Sequence, residues 1–193
     1  FAMDSESTVT AFRRNTGELL WAIDANIPDD DDEAFGGGIA YADGRLFVTT
    51  GFAQIFALDA ESGKELWRKK ASGPMRAPPA VKSDRVFAIT IDNQLFAYSA
   101  KTGEKLWSHA GFSEVAGLLG GASPAVSDGA VIAPYSSGEV YALRVENGRV
   151  LWSDNLTSSR RLDALSSLAD IRGMPVVDRG LVYAISHSGR MVA

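Results

Sequence analysis

The sequence predicts an all-β fold, a β-propeller of four-stranded antiparallel blades, from three observations. Four segments align without gaps on one frame, in which Gly follows Ala by six residues and Trp follows Gly by four. Successive glycines of this frame are 46, 40 and 45 residues apart, which is typical of propeller blades and longer than helical repeats of about 33 residues. Short apolar stretches with alternating polarity precede each frame, as expected for strands.

The four copies of the frame contain every tryptophan of the chain. They run from Ala11 to Trp21, Ala57 to Trp67, Ala97 to Trp107 and Ala142 to Trp152. A fifth copy begins at Gly189 and reaches only Ala193. At about 44 residues per blade, residues 1–193 are predicted to form one partial propeller of roughly four and a half blades, with a truncated fifth blade.

Within one repeat, turn residues divide the chain into four strands. Pro79–Val81 and Val86–Thr90 are two short apolar runs, and Gln94–Tyr98 alternates between polar and apolar residues. Turn formers such as Asp43-Gly44 separate the corresponding runs in other repeats. No segment has a sustained 3.6-residue period with helix caps, so we expect helices to be minor.

Each repeated residue of the frame has a predicted physical role. The glycine lies in the hairpin before the last strand, where a positive φ is easily adopted. The tryptophan needs cover, and we expect it to pack across the seam between two blades. The alanine is predicted to leave space for the indole of the neighbouring blade. The alternative is that the tryptophans are core residues within single blades.

Composition and motifs exclude several classes of function. The net charge of −5 argues against a nucleic-acid surface. The absence of cysteine excludes disulfides, thiolate metal sites and cysteine nucleophiles. His109 and His187 stand far apart, and no phosphate loop or metal-ligand spacing is present. The acidic run Asp29–Glu33 lacks the spacing of an EF-hand, so a solvated loop is expected. We therefore expect no catalytic residues, no metal and no cofactor, and predict that the protein is not an enzyme.

The loops between blades mark the candidate binding face. From each Trp to the aligned position of the next first strand takes 18, 12, 17 and 23 residues, whereas the other turns are short and repeated. Variable loops on a rigid frame commonly carry function. The longest loop, Ser153–Gly173, has leucines or isoleucine at near-helical spacing, which are predicted to be exposed or, alternatively, to tuck under their own loop: Leu162, Leu165, Leu168 and Ile171.

The frame with Ala57, Asp59, Gly63 and Trp67 resembles the tryptophan-docking repeat of the PQQ-like propellers, which include quinoprotein dehydrogenases and non-enzymatic proteins. Residues 118–124 (LLGGASP) and 162–177 (LDALSSLADIRGMPVV) also resemble the BamB family of outer-membrane assembly lipoproteins. That resemblance implies an eight-bladed periplasmic propeller that is tethered to the outer membrane through a lipidated N-terminal cysteine, which this sequence does not contain.

The family resemblance further implies a partner and contact residues. It implies a scaffold that binds a POTRA domain of BamA and supports the folding and insertion of β-barrel proteins. The contacts it implies are Leu118, Leu119, Asp170 and Arg172. Where some family members carry an acidic residue two positions after Asp170, this chain has Arg172, so we expect the contact chemistry to differ in detail. Two alternatives stay open: a PQQ-dependent dehydrogenase, and a propeller scaffold of an unrelated system.

Overall fold

Short antiparallel sheets make up the regular structure of the chain. The structure is a computed structural model that describes residues 1–25, 36–112, 121–127, 129–157 and 170–193. Within these residues the strands form five antiparallel sheets, and no helix is long and apolar enough to cross a membrane. The all-β prediction is thus confirmed.

The five sheets are numbered here as blades 1 to 5 in chain order. Blade 1 has β1 (Ala2–Met3), β2 (Thr8–Phe12) and β3 (Leu19–Asp24). Blade 2 has β4 (Gly37–Ala42), β5 (Arg45–Thr50), β6 (Gln54–Asp59) and β7 (Glu65–Lys70). Blade 3 has β8 (Ala80–Lys82), β9 (Arg85–Ile89), β10 (Gln94–Ser99) and β11 (Lys105–Ala110). Blade 4 has β12 (Ala125–Ser127), β13 (Ala130–Pro134), β14 (Glu139–Arg144) and β15 (Val150–Asn155). Blade 5 has β16 (Val176–Asp178), β17 (Leu181–Ile185) and β18 (Met191–Val192).

The order of strands within and between sheets is that of a propeller. In every sheet the strands lie side by side in sequence order, so each blade is an antiparallel meander. The first strands of successive blades contact one another, β4 with β8, β8 with β12 and β12 with β16. The blades are therefore arranged around a common axis with their first strands innermost.

The hydrophobic core of the protein lies in the seams between blades. Phe47 of β5 packs toward blade 3 with Trp67 and Val86, whereas Leu46 and Val48 pack toward blade 1. Successive side chains of a strand point to opposite faces, so one strand supplies two seams. In the middle strands both faces are buried, so consecutive residues pack into different seams. Full burial of each such side chain contributes roughly 1.5–3 kcal/mol.

All four tryptophans were predicted to dock across a seam, and three of them do so within the described residues. The indole N–H of Trp21 donates to the Ala60 carbonyl at 3.3 Å, and that of Trp67 donates to the Ala100 carbonyl at 3.0 Å. The indole N–H of Trp107 donates to a carbonyl of blade 4, also at 3.0 Å. Each acceptor belongs to the next blade along the chain. Trp152 has no such donor contact within the described residues and is 43% exposed.

Space for the indole comes from the glycine of the frame, and the prediction that the alanine provides it was wrong. A Cβ added to Gly103 would lie 2.5 Å from Cε3 of Trp67. Gly63 and Gly148 face the indoles of the preceding blades in the same way. The alanine is instead the cross-strand partner of the tryptophan in its own blade, as in Ala97 opposite Trp107, and it faces the same seam as that tryptophan.

A β-bulge immediately before each tryptophan aims the indole across the seam. In blade 2, Ala57 pairs with Trp67 while the next residue, Leu58, pairs with Glu65, so Leu66 has no cross-strand partner. The same shift occurs in blades 1, 3 and 4. A bulge adds one residue to a strand and re-aims the neighbouring side chains. The bulged leucine stays at the surface, where Leu66 is 45% exposed.

Removing one docked indole should destabilise the protein strongly. Trp67 is 8% exposed and fills the seam between blades 2 and 3, and truncation of a buried Trp to Ala costs about 3–5 kcal/mol. Trp67→Ala should lower the free energy of unfolding by this amount in urea titration. Leu66→Ala, on the same strand but exposed, is the control and should change it by less than about 1 kcal/mol. Equal losses for the two variants would contradict seam docking.

Comparing Gly→Ala substitutions at two positions should distinguish the stability lost through overpacking from the stability lost through backbone strain. Gly103 and Gly44 both have positive φ, 69° and 73°, but a Cβ at Gly44 would meet nothing within 4 Å. Gly44→Ala should therefore lower the free energy of unfolding only through backbone strain, by about 1–2 kcal/mol. Gly103→Ala should lower it by about 1–3 kcal/mol more, because the added methyl group overpacks against Trp67. Chemical denaturation of both variants measures the difference, and a difference near zero would show that the indole does not need the glycine.

Candidate partner-binding face

The loops between blades and the hairpins between second and third strands lie on one face, as predicted. The Met75 N–H, in the loop before blade 3, donates to the Thr50 carbonyl of the blade 2 hairpin at 3.1 Å. The Ile91 N–H of the blade 3 hairpin donates to the Pro74 carbonyl of that same loop at 2.9 Å. Backbone hydrogen bonds thus fix this loop to the hairpins on either side. We call this face the loop face.

The residues predicted to contact a partner are placed differently from one another. Leu118 and Leu119 lie outside the described residues, as do the predicted acidic loop Asp29–Glu33 and the leucines between 161 and 169. Arg172 is exposed on the loop face. Asp170 is 4% exposed, and its carbonyl accepts a hydrogen bond from the His187 N–H at 2.8 Å. Asp170 is therefore an interior residue of the loop, in contrast to the surface charge that we expected.

Ile171 explains the burial of Asp170. The Ile171 side chain is 2% exposed and belongs to the core between blades 4 and 5. Its backbone forms an antiparallel bridge with Ser186 in the blade 5 hairpin. For the apolar residues of this loop, both exposure and burial were considered, and Ile171 is buried. The loop end is pulled into the seam, and the following residue, Arg172, is exposed.

The loop that follows blade 3 begins with a clamped peptide at Phe112. The Phe112 N–H donates to Glu139 Oε2 at 3.0 Å, and its carbonyl accepts from Asn93 Nδ2 at 2.7 Å. The preceding Gly111 N–H donates to the Asn93 carbonyl at 2.8 Å. A Cβ at Gly111 would lie 2.5 Å from the Tyr135 ring. The backbone is thus held on both sides, while the Phe112 side chain is 70% exposed.

Asn93 joins the hairpins of blades 3 and 4. Its φ of 58° lies in the left-handed region, which Asn adopts more readily than most residues. Its side chain is buried, and Oδ1 accepts hydrogen bonds from both the N–H and the hydroxyl of Ser136 at 2.9 Å. Both ends of the amide therefore have partners, one in each blade.

Glu139 is a buried carboxylate whose oxygens are all satisfied by donors. The residue is 6% exposed. Besides the Phe112 N–H, Oε2 accepts the Ser137 hydroxyl at 2.9 Å, and Oε1 accepts the Tyr141 hydroxyl at 2.9 Å. A buried charge is tolerated only when such partners replace its hydration. Three donors therefore hold the carboxylate at the base of the Phe112 peptide.

Three aromatic rings cover this carboxylate at the seam. His109 lies two residues after Trp107 on β11, so both side chains point toward blade 4. His109 Nδ1 is 2.9 Å from the Tyr135 hydroxyl, and its ring centroid is 4.6 Å from that of Tyr141. Burial raises the pKa of Tyr135 above its ordinary value. Burial lowers the pKa of His109, while the nearby charge of Glu139 opposes that shift.

The hairpin of blade 4 contacts both predicted partner loops. Its Glu139 holds the start of the loop at residues 113–120 through Phe112. Its Tyr135 carbonyl accepts a hydrogen bond from the Ile171 N–H at 3.5 Å, beside Arg172. The described ends of the two loops therefore meet on one rigid hairpin, residues 135–139.

The chemistry of this face is that of a support for loops. The polar groups of the cluster are engaged with one another or with backbone. Among the described residues no group of three or more His, Cys, Asp or Glu is arranged to hold a metal ion. Sequence reasoning missed Phe112, Asn93 and Glu139. One signal was available, since Glu139 stands where Gln54 and Gln94 stand in the preceding repeats.

Comparison with known proteins agrees with the predicted family. The family model described as outer membrane protein assembly factor BamB matches residues 5–193. The chain belongs to the BamB family. BamB of Salmonella typhimurium is 32% identical over 197 residues, covering 100% of this chain and 50% of that protein. The crystal structure of BamB from Moraxella catarrhalis superposes with a TM-score of 0.84 at 25% identity, covering 97% of this chain and 56% of the other.

The BamB-family chain therefore spans about half the length of the relatives it matches. The propeller fold is also found in a quinohemoprotein alcohol dehydrogenase from Pseudomonas putida, at a TM-score of 0.67 and 16% identity, covering 99% of this chain and 39% of the enzyme. At that identity the likeness concerns the fold alone. The BamB relatives are named as outer membrane protein assembly factors.

The protonation of His109 should respond to Glu139. An NMR titration of the His109 ring should give a pKa below the ordinary 6.5, because burial disfavours the cation. Glu139→Gln should lower that pKa further, because the carboxylate charge favours the cation; a higher pKa in this variant would contradict the geometry. Since the folded-state pKa lies below the unfolded one, His109 should contribute a loss of stability as the pH falls below about 6.5. His109→Asn should reduce that loss.

Proposed function

We propose that the protein is a non-enzymatic scaffold subunit of the outer-membrane protein assembly machinery that binds the POTRA region of BamA through its loop face. The observation that carries the proposal is the blade 4 hairpin, on which the ends of two adjacent loops are fixed side by side. A scaffold needs a rigid frame that presents variable loops, and this arrangement supplies one. Membership of the BamB family supports the same function.

The proposed interface has an apolar centre and a charged rim. Leu118 and Leu119 supply the centre, because apolar anchors in the middle of an interface commonly account for most of the binding free energy. Arg172, exposed at the end of the second loop, supplies a rim charge that affects association rate and salt dependence. Asp170 acts from within the loop, where its carbonyl accepts the His187 N–H and holds the backbone that presents Arg172.

The proposed location is the periplasmic side of the outer membrane, with attachment through an N-terminal lipid. The support for this location is the family, whose named members act in outer-membrane assembly. A scaffold role also agrees with the chemistry of the loop face. The clustered His109, Tyr135 and Glu139 are engaged in hydrogen bonds that hold loop backbone, and we propose that they have no catalytic role and that the protein uses no quinone or metal.

Replacing one apolar and one basic residue of the loop face with glutamate should abolish partner binding. In the full-length protein, the double variant Leu119→Glu, Arg172→Glu should fail to co-purify with the BamA POTRA domains, because it places a charge at the apolar centre and inverts a rim charge. Lys64→Glu carries the same Lys/Arg-to-Glu change on the opposite face, in the hairpin after β6, and should bind normally. Thermal melts should show all variants folded. Normal binding by the folded double variant would refute the assignment of this face.

A further inference from the structure

We infer that Phe112 is an aromatic anchor of the same interface, held ready for binding by the Asn93 and Glu139 clamp. This inference rests on the proposed function. At 70% exposure, Phe112 is more exposed than any other large apolar side chain in the described part of the chain. A single exposed apolar residue is ordinary on protein surfaces. What sets Phe112 apart is that buried groups of two blades fix its peptide.

The clamp is more elaborate than a loop needs for its own stability. The Phe112 N–H has a buried carboxylate as acceptor and its carbonyl has a buried amide as donor. Charge-assisted hydrogen bonds to a carboxylate are stronger than neutral ones. The Gly111 backbone also packs against the Tyr135 ring so closely that no side chain fits between them. The result is an exposed aromatic side chain on a backbone that is hydrogen-bonded on both sides.

A backbone that is fixed before association favours binding by the side chain it carries. Ordering a loop on association opposes binding, and a backbone that is already fixed avoids most of that loss. Aromatic residues have large contact area and few rotatable bonds, and they are enriched at interface centres. Phe112 therefore has the chemistry of an anchor that inserts into an apolar pocket of a protein partner.

The position of Phe112 identifies the partner as the one bound by the loop face. In the sequence, Phe112 immediately precedes residues 113–120, which include Leu118 and Leu119. Its clamp, Glu139, belongs to the hairpin whose Tyr135 carbonyl holds the end of the second loop. Met174, in that second loop, is 63% exposed and extends the apolar surface on the same face. We therefore assign Phe112 to the proposed BamA POTRA interface.

The first test measures affinity. Phe112→Ala in the full-length protein should weaken binding to purified BamA POTRA domains by about tenfold or more, as truncation of a hot-spot residue does. The control is Phe12→Ala, because Phe12 is 47% exposed at the end of β2 on the opposite face. It should bind as the wild type does. Both side chains are exposed, so thermal melts should be unchanged.

The second test asks whether the clamp acts through Phe112. Glu139→Gln keeps the shape of the side chain but replaces one acceptor oxygen with a donor, and it should weaken binding several-fold and speed hydrogen exchange at the Phe112 amide. Combined with Phe112→Ala, it should cause no further loss of affinity, because a positioning residue has no effect once the residue it positions is gone. A purely structural role would instead lower affinity equally in both backgrounds.

The outcomes separate this inference from the function on which it rests. If wild-type protein does not bind the POTRA domains, both the proposed function and the anchor are overturned. If wild-type protein binds and Phe112→Ala binds with unchanged affinity, the anchor is wrong and the scaffold function stands. If Phe112→Ala weakens binding but Glu139→Gln adds its full effect in that background, the clamp does not act through Phe112.

Discussion

The packing of an indole from one blade on a glycine of the next is the interaction on which the rest of the structure depends. Each sheet has only a few short strands, and its apolar side chains point into the seams on either side. A single blade would therefore leave both of its faces exposed. The ring of Trp67 reaches Gly103 closely enough that no Cβ fits between them, and its N–H bonds to the Ala100 carbonyl. This pair of contacts fixes one blade on the next at the outer edge.

The two ends of a seam are held by different chemistry. Between blades 3 and 4, Trp107 docks near the face opposite the loop face, where burial and one hydrogen bond suffice. At the loop face the same strand continues to His109, which meets Tyr135 and lies beside the buried Glu139. Polar groups suit this end because the chain leaves the sheet here and its backbone donors and acceptors need partners. Along this one strand, the contacts across the seam thus change from apolar packing at one end to polar hydrogen bonding at the other.

This change explains how a repetitive frame presents a specific surface. The docks are equivalent from blade to blade, so they set the spacing of the loops without distinguishing one loop from another. The clamp at Phe112 depends on Glu139, which stands where the two preceding repeats have Gln54 and Gln94. Burial of Ile171 gives the next loop an anchor of its own, by apolar packing. Two adjacent loops are thereby fixed by different means on the same hairpin.

The sequence by itself determined the propeller fold and the seam position of three tryptophans, because an exact spacing of Ala, Gly and Trp leaves few other arrangements. It also placed the variable loops on one face, since alternate connections of a meander lie together. Only the tertiary structure showed that Gly103, rather than the alanine, makes room for an indole, and that a bulge at Leu66 aims it. Likewise, only the fold revealed that Asp170 is buried and Phe112 is clamped. These features depend on contacts between residues distant in sequence, such as Asn93 with Phe112 and Glu139, and local pattern carries no information about which side chains meet across a seam.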